Sequence, residues 1–140
     1  MNLKRTLKGT DETDSFAKEI AEELKGKVVL MNGNLGAGKT FFTKVVAEYY
    51  NCDDTSSPTF TLHQRYTGDI TIHHFDLYRL QSEYELDNIG FYEYVDSGET
   101  CFIEWADKFN LKDELEKYTE ITITVDSPND RTITVTSFRD

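Results

Sequence analysis

The sequence predicts a three-layer α/β domain, and three observations carry that expectation. A short apolar run at Val28–Met31 leads at once into a glycine-rich octet and then into a segment of helical periodicity. A second continuous apolar run, Thr100–Glu104, has the character of a strand covered on both faces, as in a parallel sheet. Two strictly alternating segments near the C-terminus, Ile121–Val125 and Thr132–Val135, flank Ser127-Pro128-Asn129-Asp130 and read as an antiparallel hairpin.

Taken in order, Thr10–Thr13 offers several N-cap candidates. Phe16, Ile20, Ala21 and Leu24 then recur at helical spacing until Gly26 interrupts them. After the strand at Val28–Met31 and the glycine-rich loop, a second helix begins at Lys39 with Phe42, Val45, Val46 and Tyr49 on one side. The polar stretch 51–59 reads as a loop. Segments 60–66 and 70–78 read as strands joined at Thr67-Gly68-Asp69, a hairpin inserted in the α/β chain. Short helical pieces are expected around Glu83–Leu86 and Tyr92–Val95. No repeat, low-complexity tract or linker divides the chain, so residues 1–140 are expected to form a single domain.

Composition narrows the function. With 15 Lys+Arg against 26 Asp+Glu the net charge is -11, which opposes a long polyanion footprint, and no cluster of Lys and Arg interleaved with aromatics appears. Cys52 and Cys101 stand apart from any Cys/His set at metal-ligand spacing and read as reduced thiols, which points to the cytoplasm. Nothing approaches the ~20 apolar residues of a membrane span, and Met1-Asn2-Leu3-Lys4-Arg5 has no apolar run behind it. A soluble, unprocessed protein is expected.

The octet Gly33-Asn34-Leu35-Gly36-Ala37-Gly38-Lys39-Thr40 matches G-x-x-x-x-G-K-[ST] at every fixed position. By residue frequencies, a chance match in a chain this long is on the order of one in a few hundred. Glycines let the backbone curl around phosphate oxygens, so that successive N–H groups form an anion nest at a helix N-terminus. Lys39 would reach the β- and γ-phosphates, and the Thr40 hydroxyl would take one position on Mg²⁺. The expected fold is therefore P-loop NTPase-like, with a mixed, mostly parallel sheet and antiparallel hairpins.

Such a site needs an acidic group after a second buried strand, and Glu104 at the end of Cys101-Phe102-Ile103 meets that need. Asp76 is the other candidate. In a strand it shares a face with Ile72 and His74, where a buried carboxylate needs a cation, and it would either orient the attacking water or support the metal; a structural pair with Arg65, Arg79 or Lys39 is the plainer alternative. His63, His73 and His74 lack ligand spacing for zinc and read as structural. Ser57-Pro58-Thr59-Phe60 is a candidate γ-phosphate sensor.

These segments together resemble the TsaE (YjeE/YdiB) family of P-loop ATPases. The resemblance rests on the octet, Ser57-Pro58-Thr59-Phe60-Thr61-Leu62, His74-Phe75-Asp76-Leu77-Tyr78-Arg79-Leu80 and Phe102-Ile103-Glu104-Trp105, in the family's order and at its spacing. It implies a Mg²⁺-dependent ATPase required for threonylcarbamoyl formation on adenosine 37 of tRNAs reading codons that begin with A. It implies Lys39, Asp76 and Glu104 as catalytic residues and Thr40 and Glu104 at the metal. ATP contacts are implied for Asn34, Leu35, Gly36, Ala37, Gly38, Lys39, Thr40, Phe41 and Asp76, with Thr10, Thr13 and Arg131 towards the nucleoside.

Ser57 and Thr59 would belong to a switch-like loop, and Trp105 would sit beside the catalytic glutamate. Where the family usually has Asp after the first loop glycine, this chain has Asn34, which removes one charge at a variable position. The implied partners are a threonylcarbamoyl transferase and its inactive paralogue (TsaD- and TsaB-type proteins), with tRNA contacted only indirectly. An arginine finger could come from Arg79, Arg131 or a partner. Two rival readings are a small-molecule kinase, for which no arginine-rich lid is evident, and an ATP-binding switch or assembly factor without meaningful hydrolysis.

Overall fold

The computed structural model describes residues 1–54 and 62–139, apart from the side chain of Asp54. Among the described residues eight strands form one sheet: β1 (Asn2–Lys8), β2 (Val28–Asn32), β3 (Asp53–Asp54), β4 (His63–Thr67), β5 (Thr71–Asp76), β6 (Thr100–Glu104), β7 (Tyr118–Val125) and β8 (Asp130–Phe138). Their order across the sheet is β1-β8-β7-β2-β6-β5-β4-β3. The centre is parallel, β2 lying between β6 and β7 and β6 pairing with β5. Both flanks are antiparallel, the β4–β5 hairpin on one side and the β1, β8, β7 meander on the other.

Helices α1 (Gly9–Leu24) and α2 (Lys39–Tyr49) cover one face of the sheet. Phe16, Ile20 and Leu24 of α1 and Phe42, Val45 and Val46 of α2 pack there against Val29, Met31, Ile72, Phe102, Ile121 and Ile133. The short helices α3 (Tyr84–Asn88) and α4 (Phe91–Val95) and two 3₁₀ turns, Ala106–Phe109 and Leu111–Asp113, cover the other face. There Leu86, Phe91 and Leu111 meet Leu30, Phe75, Cys101 and Ile103. The alternation of β2, β5 and β6 between the two clusters is the period-2 pattern of strands buried on both faces.

Local differences from expectation have physical causes. Strand β1 has a mostly exposed edge, with Leu7 its sole buried residue, so its sequence carries little strand signal. It forms because β8 offers a free edge from Asp130 to Thr136. The chain turns directly from β1 into α1, so Thr10–Thr13 lie inside the helix rather than capping it. The Glu12 carboxylate accepts the Lys8 N–H at 3.1 Å in their place. At the other end of α1, the Gly26 N–H donates to Thr100 Oγ1 at 2.7 Å. Tyr49 is 37% exposed rather than part of the buried face of α2, and its hydroxyl donates to Glu22. Within the stretch read as a loop, Asp53–Asp54 pairs with β4. Residues 55–59 of that stretch, including Ser57 and Thr59, and residues 60–61 at the start of the segment read as a strand lie outside the described residues.

Candidate active site

The carboxyl ends of β2, β5 and β6 open on one edge of the molecule, and the octet leaves β2 there. Gly36 and Gly38 adopt φ of +82° and +112°, conformations that L side chains resist, and this lets the backbone turn back on itself before α2. Gly33 is needed for space as well: a Cβ there would stand 2.8 Å from the Ile123 carbonyl oxygen. The loop thus fits closely against β7 while its N–H groups lead into the first turn of α2, a suitable anion cradle.

Glu104 ends β6 at 4% exposure, directly across the ladder from Asp76 at the end of β5. Its Oε2 accepts from the Thr40 hydroxyl at 2.9 Å and from His74 Nε2 at 2.5 Å, while Oε1 lies 3.9 Å from Lys39 Nζ. Burial pushes the Glu104 carboxyl up, but donation from His74 and Thr40 and the Lys39 charge outweigh it, so the group sits below its ordinary value and is ionised at neutral pH. Lys39 is itself 5% exposed, and its ammonium lies 4.0 Å from the centroid of the Trp105 ring. Desolvation lowers its pKa against the pull of Glu104, Asp76 and Asp107.

Trp105 holds φ of +65°, uncommon for a bulky residue, and this turn carries its ring back under Lys39 and against Tyr78 at 4.9 Å. Asp76 is exposed, contrary to the expectation that a buried face would force a cation onto it. Its Oδ1 accepts the Tyr78 N–H at 3.1 Å, and the carboxylate stands at the mouth of the site as part of the field on Lys39.

Two concavities meet at the loop. A cleft of about 350 Å³ is lined by Leu35, Lys39, Thr40, Asp76, Glu104 and Trp105. A second, of about 250 Å³, is lined by Thr10, Thr13, Ala37, Phe41, Asn129 and Arg131. Gly36, Gly38 and Phe41 line both, so one elongated ligand can cross from the charged cleft to the other. Arg131 is anchored in the second: its Nε donates to the Ala37 carbonyl at 3.0 Å, and Nη1 to the carbonyls of Ser127, Pro128 and Asp130. Asn34 lines a third hollow on the far side of Lys39, with Asp107 and Lys112.

The structure therefore brings together Lys39, Thr40, Glu104 and Asp76 on one side of the loop and Thr10, Thr13, Phe41 and Arg131 on the other. Sequence reasoning missed His74 as a partner of Glu104. The alternation of β5 put it on the face of Asp76, but its distance from Glu104 depends on the β5–β6 register. The His63 and His73 rings hydrogen-bond to each other at 2.9 Å and pack on Tyr94. Among the described residues no group of three or more His, Cys, Asp or Glu could hold a metal by itself, and no helix is long and apolar enough to cross a membrane. Cys52 and Cys101 are free thiols.

Sheet, loop and site define an α/β protein of P-loop-like fold. Residues 7–133 match the family described as "Threonylcarbamoyl adenosine biosynthesis protein TsaE", and the chain belongs to that family. Proteins named tRNA threonylcarbamoyladenosine biosynthesis protein TsaE are similar to it in several bacteria. The Rickettsia conorii protein is 45% identical over 73% of this chain and 60% of its own length, so the match leaves two fifths of that relative uncovered. The Treponema pallidum protein is 36% identical over 95% of this chain and 97% of its own length. The crystal structure of Bacillus subtilis YdiB superposes with a TM-score of 0.75 at 33% identity, covering 98% of this chain and 86% of that one.

Proposed function

We propose that the chain is a Mg²⁺-dependent ATPase that serves threonylcarbamoyladenosine formation on tRNA by acting on a threonylcarbamoyl transferase and its inactive paralogue. The observation that carries this reading is the 2.9 Å hydrogen bond between the Thr40 hydroxyl and the buried Glu104 carboxylate, beside Lys39 at the mouth of a glycine loop. The relatives' names supply the tRNA modification.

The donors suit Mg²⁺: a hydroxyl and an ionised carboxylate are hard oxygen ligands, and a metal that also takes phosphate oxygens and water needs no all-protein cage. Thr40 and Glu104 would hold it, and when bound it neutralises charge on the phosphoryl group being transferred. The protein's own residues do the rest. Loop N–H groups orient the phosphates, and Lys39 sets a full positive charge against them. Burial of Lys39 and Glu104 keeps that field in a poorly screened environment. Asp76, exposed beside Glu104, would orient water for in-line attack on the γ-phosphate or support the metal. Thr10, Thr13, Phe41 and Arg131 would take the nucleoside in the adjoining cleft. With a net charge of -11 the protein need not grip tRNA, and its acidic surface suits basic patches on partner proteins.

The test is ATP turnover with Mg²⁺, with and without the purified transferase and paralogue. Stimulation by the partners that Lys39→Ala abolishes is the expected result. Tight ATP binding with negligible turnover in their presence would replace hydrolysis by the binding-switch reading.

A further inference from the structure

We infer that His74, backed by Tyr66, is a positioning residue that fixes which oxygen of Glu104 faces the cleft. This rests on the reading of Glu104 as the carboxylate that holds Mg²⁺.

The Glu104 carboxylate has two oxygens and an uneven set of neighbours. Oε2 accepts from both Thr40 and His74, whereas Oε1 is turned towards Lys39 at 3.9 Å. A glutamate has three rotatable bonds, and a carboxylate at 4% exposure that lacked a donor on its inner side would gain by swinging outward to water. The Thr40 hydroxyl alone does not prevent this, because it lies on the loop side and would follow the ligand.

His74 is the inner donor. It is 3% exposed on the central strand β5, on the same face as Glu104, so its ring cannot turn away without breaking the sheet's packing against α1 and α2. Since Glu104 is ionised and can only accept, Nε2 of His74 carries the proton. Tyr66 then completes the arrangement from β4. It is 3% exposed, and its hydroxyl lies 3.3 Å from His74 Nδ1 and 3.2 Å from Gln64 Oε1, two acceptors that share its single proton. A line of contacts thus runs Gln64, Tyr66, His74, Glu104, Thr40 from the β4–β5 hairpin to the first turn of α2. Outer partners of this kind orient ligands, and losing one typically costs 10- to 100-fold in metal affinity.

The test compares wild type with His74→Ala and His74→Gln, whose amide nitrogen can stand near the position of Nε2. ATP affinity is measured calorimetrically in EDTA and in Mg²⁺, and turnover is followed with the transferase pair. His74→Ala should bind ATP in EDTA like wild type and lose about ten-fold or more of the Mg²⁺-dependent gain, with kcat falling more than KM rises. His74→Gln should restore the gain to within a few-fold.

Equal gains in wild type and His74→Ala would overturn the assignment, and so would an equal loss in Ala and Gln, since that is the mark of packing rather than of a donor. A wild type that gains nothing from Mg²⁺ would overturn the reading of the site itself, and this assignment with it. Thermal unfolding of each variant separates these results from misfolding.

Discussion

Arg131 Nε donates to the carbonyl oxygen of Ala37 at 3.0 Å, tying the C-terminal hairpin to the middle of the glycine loop across 94 positions of sequence. Its Nη1 meets three further carbonyls at the hairpin turn. The guanidinium therefore acts as a clamp between β8 and the loop, and a side chain so engaged is poorly placed to swing in as an arginine finger. Replacing it removes four hydrogen bonds, three of them partly buried and each worth about 1 kcal/mol, although the Ser127 and Asp130 carbonyls keep backbone donors.

Arg131→Gln should lower the unfolding free energy by about 1–3 kcal/mol and weaken ATP binding several-fold, while kcat at saturating ATP stays within about three-fold of wild type. Urea unfolding and steady-state kinetics on one preparation check both. A kcat loss of a thousand-fold or more with stability intact would restore the finger role.

The chain has one tryptophan, and it lies against the Lys39 ammonium. When phosphates draw Lys39 forward, the contact of about 0.5–2 kcal/mol between ammonium and indole is loosened, and emission from Trp105 should change. Titration with ATP should follow the calorimetric binding curve. Lys39→Met should show an altered emission without nucleotide and little further change with it.

His63 is held at a pKa of about 4, chiefly by burial and then by the nearby His73, with Arg65 adding to it. An unfolded histidine titrates near 6.5, so between about 6.5 and 4 the unfolded chain binds more protons than the folded one. The stability due to a neutral His63 is therefore complete above pH 6.5 and is lost as pH falls towards 4. Urea midpoints measured from pH 7.5 to 4.5 should fall steadily in wild type. The fall should be shallower in His63→Phe, which keeps the stacking on Phe75 at 4.5 Å. His73, also lowered by burial, keeps the residual slope from vanishing.

What could be read from the sequence was what is local. Gly33–Thr40 and Glu104 follow directly from apolar runs, and the Thr100–Glu104 strand has the expected bounds because both its faces are apolar. Strand β1 was missed because an exposed edge strand needs no alternation and takes its structure from β8. The caps of α1 failed for a related reason: Asn129, far along the chain, accepts the Gly9 N–H at 2.6 Å, and Glu12 serves the preceding residue. His74 has the same character. Its chemistry is set by a register between β5 and β6 that puts it beside a carboxylate thirty residues away. Asp76 stands across the ladder from Glu104, but the burial argument for it was mistaken, since the strand surfaces at that residue.

The Mg²⁺ dependence of ATP turnover in wild type and Glu104→Ala, with the transferase and paralogue present, decides whether Glu104 holds the metal. Wild type should show saturable Mg²⁺ activation. Glu104→Ala should show turnover reduced by about 10²-fold or more, with ATP binding in EDTA unchanged. Wild-type turnover in Glu104→Ala, with the same Mg²⁺ midpoint, would contradict that role.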